Sequence, residues 1–193
     1  MSEVSEYDRL ILEEAREHLR QFVKRSSEEM PGAGNLLEIG AQGRTYVRDC
    51  FPDWKIASLD LIPDFSPDFV GDITTYNPAI PDKYFDAVAC LEVLEHTVDP
   101  FAAVAELRRI IKPGGILLIS APLNFRIHGP LPDCWRFTEF GWRVLLKDFD
   151  LIELDAMESP DRKLFPVKYN VRARVDHEKN VEARKMTFKP IQT

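Results

Sequence analysis

Cysteine is scarce in this chain: Cys50, Cys90 and Cys134 are the only three among 193 residues. Their wide spacing forms no metal-binding knuckle, and an odd number is a poor disulfide framework. No stretch at the start has the layout of a secretory signal, which together with the cysteine usage predicts a reducing, cytoplasmic setting. Long apolar runs are absent too. The longest, around Ile116–Ile119, is far too short to span a bilayer. There is no excess of positive charge, since 25 Lys and Arg face 32 Asp and Glu for a formal net charge of -7. That balance excludes bulk attraction to nucleic acid or an anionic membrane and leaves room only for a local basic patch. A small or neutral partner, or one on a carrier, fits better. Nothing repeats along the chain.

What is present is ordinary for a globular protein: 45% hydrophobic and 30% charged residues. The length suits one domain over 1–193, with 1–33 as a helical extension and linker. Tyr7, Leu10, Ile11, Ala15, Leu19, Phe22 and Val23 recur at helical spacing, so Tyr7–Val23 is predicted as an amphipathic helix. It either packs on a sheet or forms a lid or wall of a pocket. Pro31, Gly32 and Gly34 punctuate its end.

Strands are predicted at Leu36–Ile39, Lys55–Asp60, within Asp68–Ile73, at Phe85–Leu91, and in "ILLISAP" up to Pro122. Only Leu61–Pro67 separates the second strand from the third, which is too little chain for a crossover helix. Helices are predicted at Asp99–Ile111, led by Asp99-Pro100 and closed by "KPGG", and at Thr138–Lys147, with Thr138 as cap. "FDLIELDAM" and "LFPVKYNVRARVD" read as two further strands. The alternation in "NVRARV" predicts a half-buried strand near an antiparallel edge. The expected fold class is α/β: a mostly parallel seven-stranded sheet ending in an antiparallel hairpin, with an abbreviated crossover after strand two. The last dozen residues, rich in Lys and Glu, read as frayed.

In such a sheet, ligands collect outside the carboxyl ends of the strands, where strand order reverses. Gly40, Asp60, Asp72 and Glu92 each fall just past an apolar strand. Asp60 lies twenty residues beyond Gly40, the spacing of an acid that holds a ribose diol. Asp72 can accept from an adenine amino group, with the Ile73 backbone at the ring edge. Each acid can equally be a cap or turn residue. Glu38, ending a buried strand, has to find a partner. The loop "GAQGR" alone is a weak signal that a nicotinamide oxidoreductase would share.

These segments resemble the class I S-adenosylmethionine-dependent methyltransferases from Asn35 to Met157. The resemblance rests on "LLEIGAQGR", "SLD", "VGDI", "FDAVACLEVLEHTVDP" and "LRRIIKPGGILLISAP", with "LEVLEH" and "KPGG" the most specific parts. The family shows an acid followed by glycines two, four and six residues later; here Gln42 and Arg44 take the second and third glycine positions. The resemblance implies a Rossmann-like fold and S-adenosylmethionine as cofactor. It places Glu38 and Gly40 at the methionine end, Asp60 at the ribose, Asp72 and Ile73 at the adenine, and Leu91 and Glu92 beside the sulfonium; Gln42 either sends the loop along another path or hydrogen-bonds the amino-acid moiety of the cofactor. "NFRIHGPLPDCWRFTEFGWRVLL" is similar to a loop and helix of a bacterial subgroup associated with sugar, polysaccharide or natural-product pathways.

Methyl transfer to a hydroxyl would need a base. His128 is the first candidate, because histidine titrates near neutrality and the residue sits in a Gly/Pro-bounded loop after the fifth strand. Asp133 could orient it or contact a sugar hydroxyl, Arg136 could bind an acidic group on the acceptor, and Trp135 could stack on a ring. The same cluster could be a structural loop with Asp133 and Arg136 paired. His96 ranks below His128, and His18 and His177 stand in less informative contexts, with His177 expected at the surface. No metal set is expected, nor any nucleic-acid or membrane partner; a homodimer through the terminal hairpin or the first helix is an open expectation. The preferred function is methyl transfer to a small-molecule hydroxyl. N- or C-methylation and a non-catalytic binding protein of the same fold are the alternatives.

Overall fold

The computed structural model describes residues 5–176, so His177 and the Lys- and Glu-rich terminal residues lie outside the described residues. The strands are β1 (Asn35–Ile39), β2 (Lys55–Asp60), β3 (Phe69–Val70), β4 (Phe85–Leu91), β5 (Ile111–Pro122), β6 (Phe149–Met157) and β7 (Lys168–Val175). They form one sheet in the order β3-β2-β1-β4-β5-β7-β6. β1 to β5 are parallel, and β7 runs antiparallel to both β5 and β6. This is the expected Rossmann-like architecture with its terminal hairpin. The chain reverses direction across the sheet between β1 and β4, which fixes where a ligand crevice must lie.

Helices cover both faces. α1 (Glu6–Glu28) starts at Ser5, whose hydroxyl accepts the Asp8 N–H. Its Leu19, Phe22 and Val23 pack on Leu36, Ala87 and Leu118, together with Val47 of the short α2 (Tyr46–Cys50). On the other face, α3 (Pro100–Ile110) and α4 (Glu139–Leu145) bury Leu107, Ile110, Trp142 and Leu145 against Leu37, Val88 and Leu117. The predicted caps are present: Asp99 accepts the Ala102 N–H at 2.9 Å, and Thr138 accepts the Gly141 N–H at 3.2 Å. The central strands are apolar throughout because they are buried on both sides.

The link after β2 is abbreviated as expected, to a single 3-10 turn at Pro63–Phe65. The link from β3 to β4 also contains no helix.

Two expectations need correction. "KPGG" does not separate α3 from the fifth strand. Ile111 already pairs with Phe85, and Lys112–Gly115 bulge out before pairing resumes at Ile116 with Ala87. A Cβ on Gly115 would stand 2.9 Å from the Asp86 carbonyl oxygen, so the close approach requires glycine there. Second, β7 is neither half-buried nor at the edge. It lies between β5 and β6, and its polar positions Lys168, Asn170 and Arg172 are buried. α1 and the residue that follows it supply partners for Asn170 and Arg172, while Lys168 turns to Glu92. Arg172 pairs with Glu29 at 2.8 Å, Asn170 hydrogen-bonds His18 at 3.0 Å, and Arg25 meets Asp155 at 3.0 Å. An alternating strand reads as solvent-facing until a helix closes over its polar side.

Candidate active site

The carboxyl ends of β1, β2 and β4 open into a cleft of about 1120 Å³. Gly40, Gln42, Asp60, Asp72, Ile73 and Glu92 line it, as do His96 and the loop from His128 to Pro132. Leu12, Ala15, Arg16, Leu19 and Arg20 form one wall, so α1 both packs on the sheet and borders the cleft. Two of the expected cofactor residues do not reach the lining: Glu38 and Leu91 are buried beneath it, at 3% and 4% exposure.

The loop after β1 is built for close approach. Gly40 has φ +67°, and a Cβ there would come within 2.9 Å of Val93 Cγ2. Gln42, standing where the resembled family has glycine, adopts φ +48°, and Gly43 follows at +77°. A non-glycine residue in this region costs roughly 1–2 kcal/mol, so the loop keeps a left-handed turn that its side chain opposes. The Arg44 guanidinium donates to the carbonyls of Gly40 and Ala41 at 2.9 and 3.0 Å and clamps the turn from outside.

Asp60 ends β2 at 6% exposure. One carboxylate oxygen accepts the Ile62 N–H at 3.0 Å; Oδ2 is buried with no hydrogen-bond partner. A buried carboxylate oxygen left bare is costly unless something binds it. Asp72 is also a turn acid, accepting the Thr74 N–H at 2.8 Å while lining the cleft. Glu38 has a buried, unpartnered Oε2. Burial pushes its carboxyl up to about 7, against the pull of Arg48 and Arg44. Glu92 has φ +58° and accepts the Ser120 hydroxyl at 2.7 Å and the Lys168 ammonium at 2.8 Å. Burial raises its pKa, but Lys168, the Ser120 hydroxyl and His128 together offset this and keep the carboxyl below its ordinary range.

At the far end, the structure gathers Glu95, His96 and His128. His96 Nδ1 is hydrogen-bonded to the Pro132 carbonyl at 3.0 Å and His128 Nδ1 to the Arg126 carbonyl at 3.3 Å, with Asp133 Oδ2 beside the same His128 nitrogen at 3.2 Å. These partners can only accept, so each ring carries its hydrogen on Nδ1 and keeps the Nε2 lone pair free. Asp133 also accepts the His128 backbone N–H at 2.9 Å and is gripped by the Arg136 guanidinium, which with that N–H holds its carboxyl below the usual range. The expected triplet of His128, Asp133 and Arg136 is therefore contiguous, but only His128 lines the cleft. Arg136 faces Asp133 rather than the open space, and Trp135 stacks on Phe137 while its indole N–H bonds the Thr97 carbonyl at 2.9 Å.

Sequence reasoning passed over Glu95 and Lys168. Glu95 stands inside the quoted "LEVLEH", three residues after Glu92, but His128 comes 33 residues later, and no spacing rule joins them. Lys168 lies in the predicted strand "LFPVKYNVRARVD" just before its alternating stretch, 76 residues after Glu92, and no spacing rule joins the two. Glu95 is fully buried, and both of its carboxylate oxygens lack hydrogen-bond partners. Burial and the nearby Glu92 charge push its carboxyl well above the ordinary range.

Residues 39–119 match the sequence profile of the family described as "Methyltransferase domain". A curated relative, "Ubiquinone biosynthesis O-methyltransferase" of Xylella fastidiosa strain M23, is 40% identical over 97 residues, 46% of this chain and 38% of that protein. The chain thus spans about two fifths of the length of this relative. Among solved structures, the [4+2]-cyclase SpnF aligns with TM-score 0.65 at 15% identity, over 81% of each chain. The 1,6-didemethyltoxoflavin-N1-methyltransferase of Burkholderia thailandensis, solved with its substrate and S-adenosylhomocysteine, aligns with TM-score 0.61 at 18% identity, over 82% of this chain and 78% of that one. The architecture is the methyltransferase fold, and the matched segment runs from the end of β1 through most of β5.

Proposed function

We propose that this protein is an S-adenosylmethionine-dependent methyltransferase that methylates a hydroxyl of a small molecule. The observation that carries the reading is Asp60, whose buried Oδ2 has no hydrogen-bond partner, at the wall of the cleft and twenty residues past Gly40. The match to a methyltransferase domain and the O-methyltransferase name of the matched relative support it.

The residues present fit the cofactor. Gly40 leaves room for backbone approach, and Asp60 has an acceptor oxygen for a ribose hydroxyl proton. Asp72 and the Ile73 backbone take the adenine edge. Gln42 faces the methionine end and Glu92 borders the reacting group, with Glu38 and Leu91 buried behind the lining. When bound, S-adenosylmethionine supplies a methyl carbon on a sulfonium that leaves as a neutral thioether. The chain's own task is alignment and exclusion of water, worth up to roughly 7–11 kcal/mol in well-oriented systems. The acceptor enters between α1 and the His128–Pro132 loop. As its oxygen forms the new bond to carbon, His128 Nε2 takes the hydroxyl proton, with the ring held by the Arg126 carbonyl and by Asp133 beside it, and Asp133 held by Arg136. The likeness of Asn124–Leu146 to a subgroup associated with sugar and natural-product pathways supports a sugar-like or natural-product acceptor.

Gln42 at the glycine position, together with a cyclase among the structural neighbours, favours a second reading in which the fold serves binding or another chemistry. Calorimetric titration with S-adenosylhomocysteine separates them. We expect saturable binding, weakened roughly 10- to 100-fold by Asp60→Ala as a charge-assisted hydrogen bond is lost. Absence of binding in folded protein, or preferential binding of NAD, would sink the methyltransferase reading.

A further inference from the structure

We infer that Glu95, His96 and His128 form a binding site for a divalent first-row transition-metal ion at the acceptor end of the cleft. Each of these side chains presents one ligand atom, and all three lie within 4.8 Å of one another. Glu95 Oε1 is 3.8 Å from His96 Nε2 and 3.9 Å from His128 Nε2. An ion bonds such atoms at about 2.0–2.2 Å, which sets neighbouring ligands about 3.0–3.5 Å apart. Metal binding therefore draws each Glu–His pair in by about 0.3–0.9 Å and brings together the two imidazoles, whose ligand atoms lie within 4.8 Å of each other.

Three independent features point the same way. The Glu95 carboxylate is fully buried, and neither of its oxygens has a hydrogen-bond partner. A buried carboxylate in that state is found where it is protonated or binds a cation. Both imidazoles have their Nδ1 anchored by a backbone carbonyl, that of Pro132 for His96 and that of Arg126 for His128, with Asp133 also beside His128, and both Nε2 atoms stand near Glu95 Oε1. Metal-bound histidines are oriented in this way, by a carbonyl or carboxylate behind the ring. Finally, His96 and His128 both line the cleft, so the ion's remaining positions open toward the space where the acceptor enters.

Two histidines and one carboxylate with open positions suit Mn²⁺, Fe²⁺, Co²⁺ or Zn²⁺ better than Mg²⁺, which prefers all-oxygen ligands. What the ion does there rests on the methyl-transfer reading; that the site binds it does not. With the ion in place, His128 Nε2 is a ligand and no longer the base. The acceptor oxygen binds the cation, its O–H bond weakens, and the proton leaves to water before the oxygen bonds to the methyl carbon.

The test uses the full chain stripped with a chelator and titrated with Co²⁺, read by visible absorption and calorimetry. One Co²⁺ per chain, displaced by Zn²⁺, is expected, with affinity reduced at least tenfold in Glu95→Gln and in His128→Ala. S-adenosylhomocysteine titration of the same samples shows that the variants are folded. Failure of Co²⁺ to bind folded protein, or binding unchanged in both variants, overturns the site. Co²⁺ binding without S-adenosylhomocysteine binding upholds the site and removes the methyl-transfer role; the converse removes only the ion.

Discussion

Glu38 occupies a buried position in β1 with its carboxyl pushed up to about 7 by burial. Between its ordinary value of 4.5 and that value, the folded protein holds a proton that the unfolded chain has lost. Stability therefore falls as pH rises through that window and levels off above it. The full loss is about 3 kcal/mol. Glu38→Gln removes the ionisable group, so its urea-denaturation free energy should fall less between pH 5 and 8 than that of the wild type. Parallel pH profiles for the two proteins would show that Glu38 is ionised throughout. Gln42 and Glu92 are the non-glycine residues lining the cleft that hold positive φ. Neither conformation follows from residue type, since only glycine adopts it freely. The tertiary fold imposes both, by clamping the first loop with Arg44 and by anchoring Glu92 to Ser120 and Lys168.

Among the elements, α1 and α4 make a useful contrast. α4 is fixed at its start by Thr138, and Thr138→Ala should cost about 1 kcal/mol without changing S-adenosylhomocysteine affinity, because neither residue nor helix borders the cleft. α1 carries Phe22, which is fully buried against the sheet, while the same helix lines the cleft through Arg16, Leu19 and Arg20. Phe22→Ala should cost about 3–5 kcal/mol and weaken ligand binding as the wall loosens. Thermal unfolding and calorimetry on the pair check both statements. Equal ligand affinity in the two variants would mean that the α1 wall contributes nothing to binding. The caps and the amphipathic stripe were legible in the sequence because they depend on neighbours within four residues. The burial of β7 was not legible, because it depends on which strand inserts beside β5 and on where the end of α1 comes to rest.

For the molecule as a whole, a ligand seated across the ends of β1, β2 and β4 ties together segments from Gly40 to Lys168. Such a ligand binds only the folded chain. At one hundred times its dissociation constant it should add about 2.7 kcal/mol. That corresponds to a rise of roughly 5–10 °C in Tm for a domain of this size. Differential scanning calorimetry with S-adenosylhomocysteine, and with NAD as comparison, measures it. No shift with saturating S-adenosylhomocysteine would contradict a ligand-spanned cleft. Among the described residues, no helix is long and apolar enough to cross a membrane.

By itself the sequence determined the sheet class, the shortened crossover, the caps and the acids at the strand ends. Those features are written in local periodicity, in the length of links and in residues adjoining apolar runs. The tertiary structure alone decided that Glu95, His96 and His128 converge, that Lys168 neutralises Glu92, and that Arg136 serves Asp133 instead of the cleft. Even the short Asp133–Arg136 pairing competed with another role in the sequence, and the other contacts join separate loops and strands. Strand order and loop path set those distances, and periodicity along one segment carries no information about either.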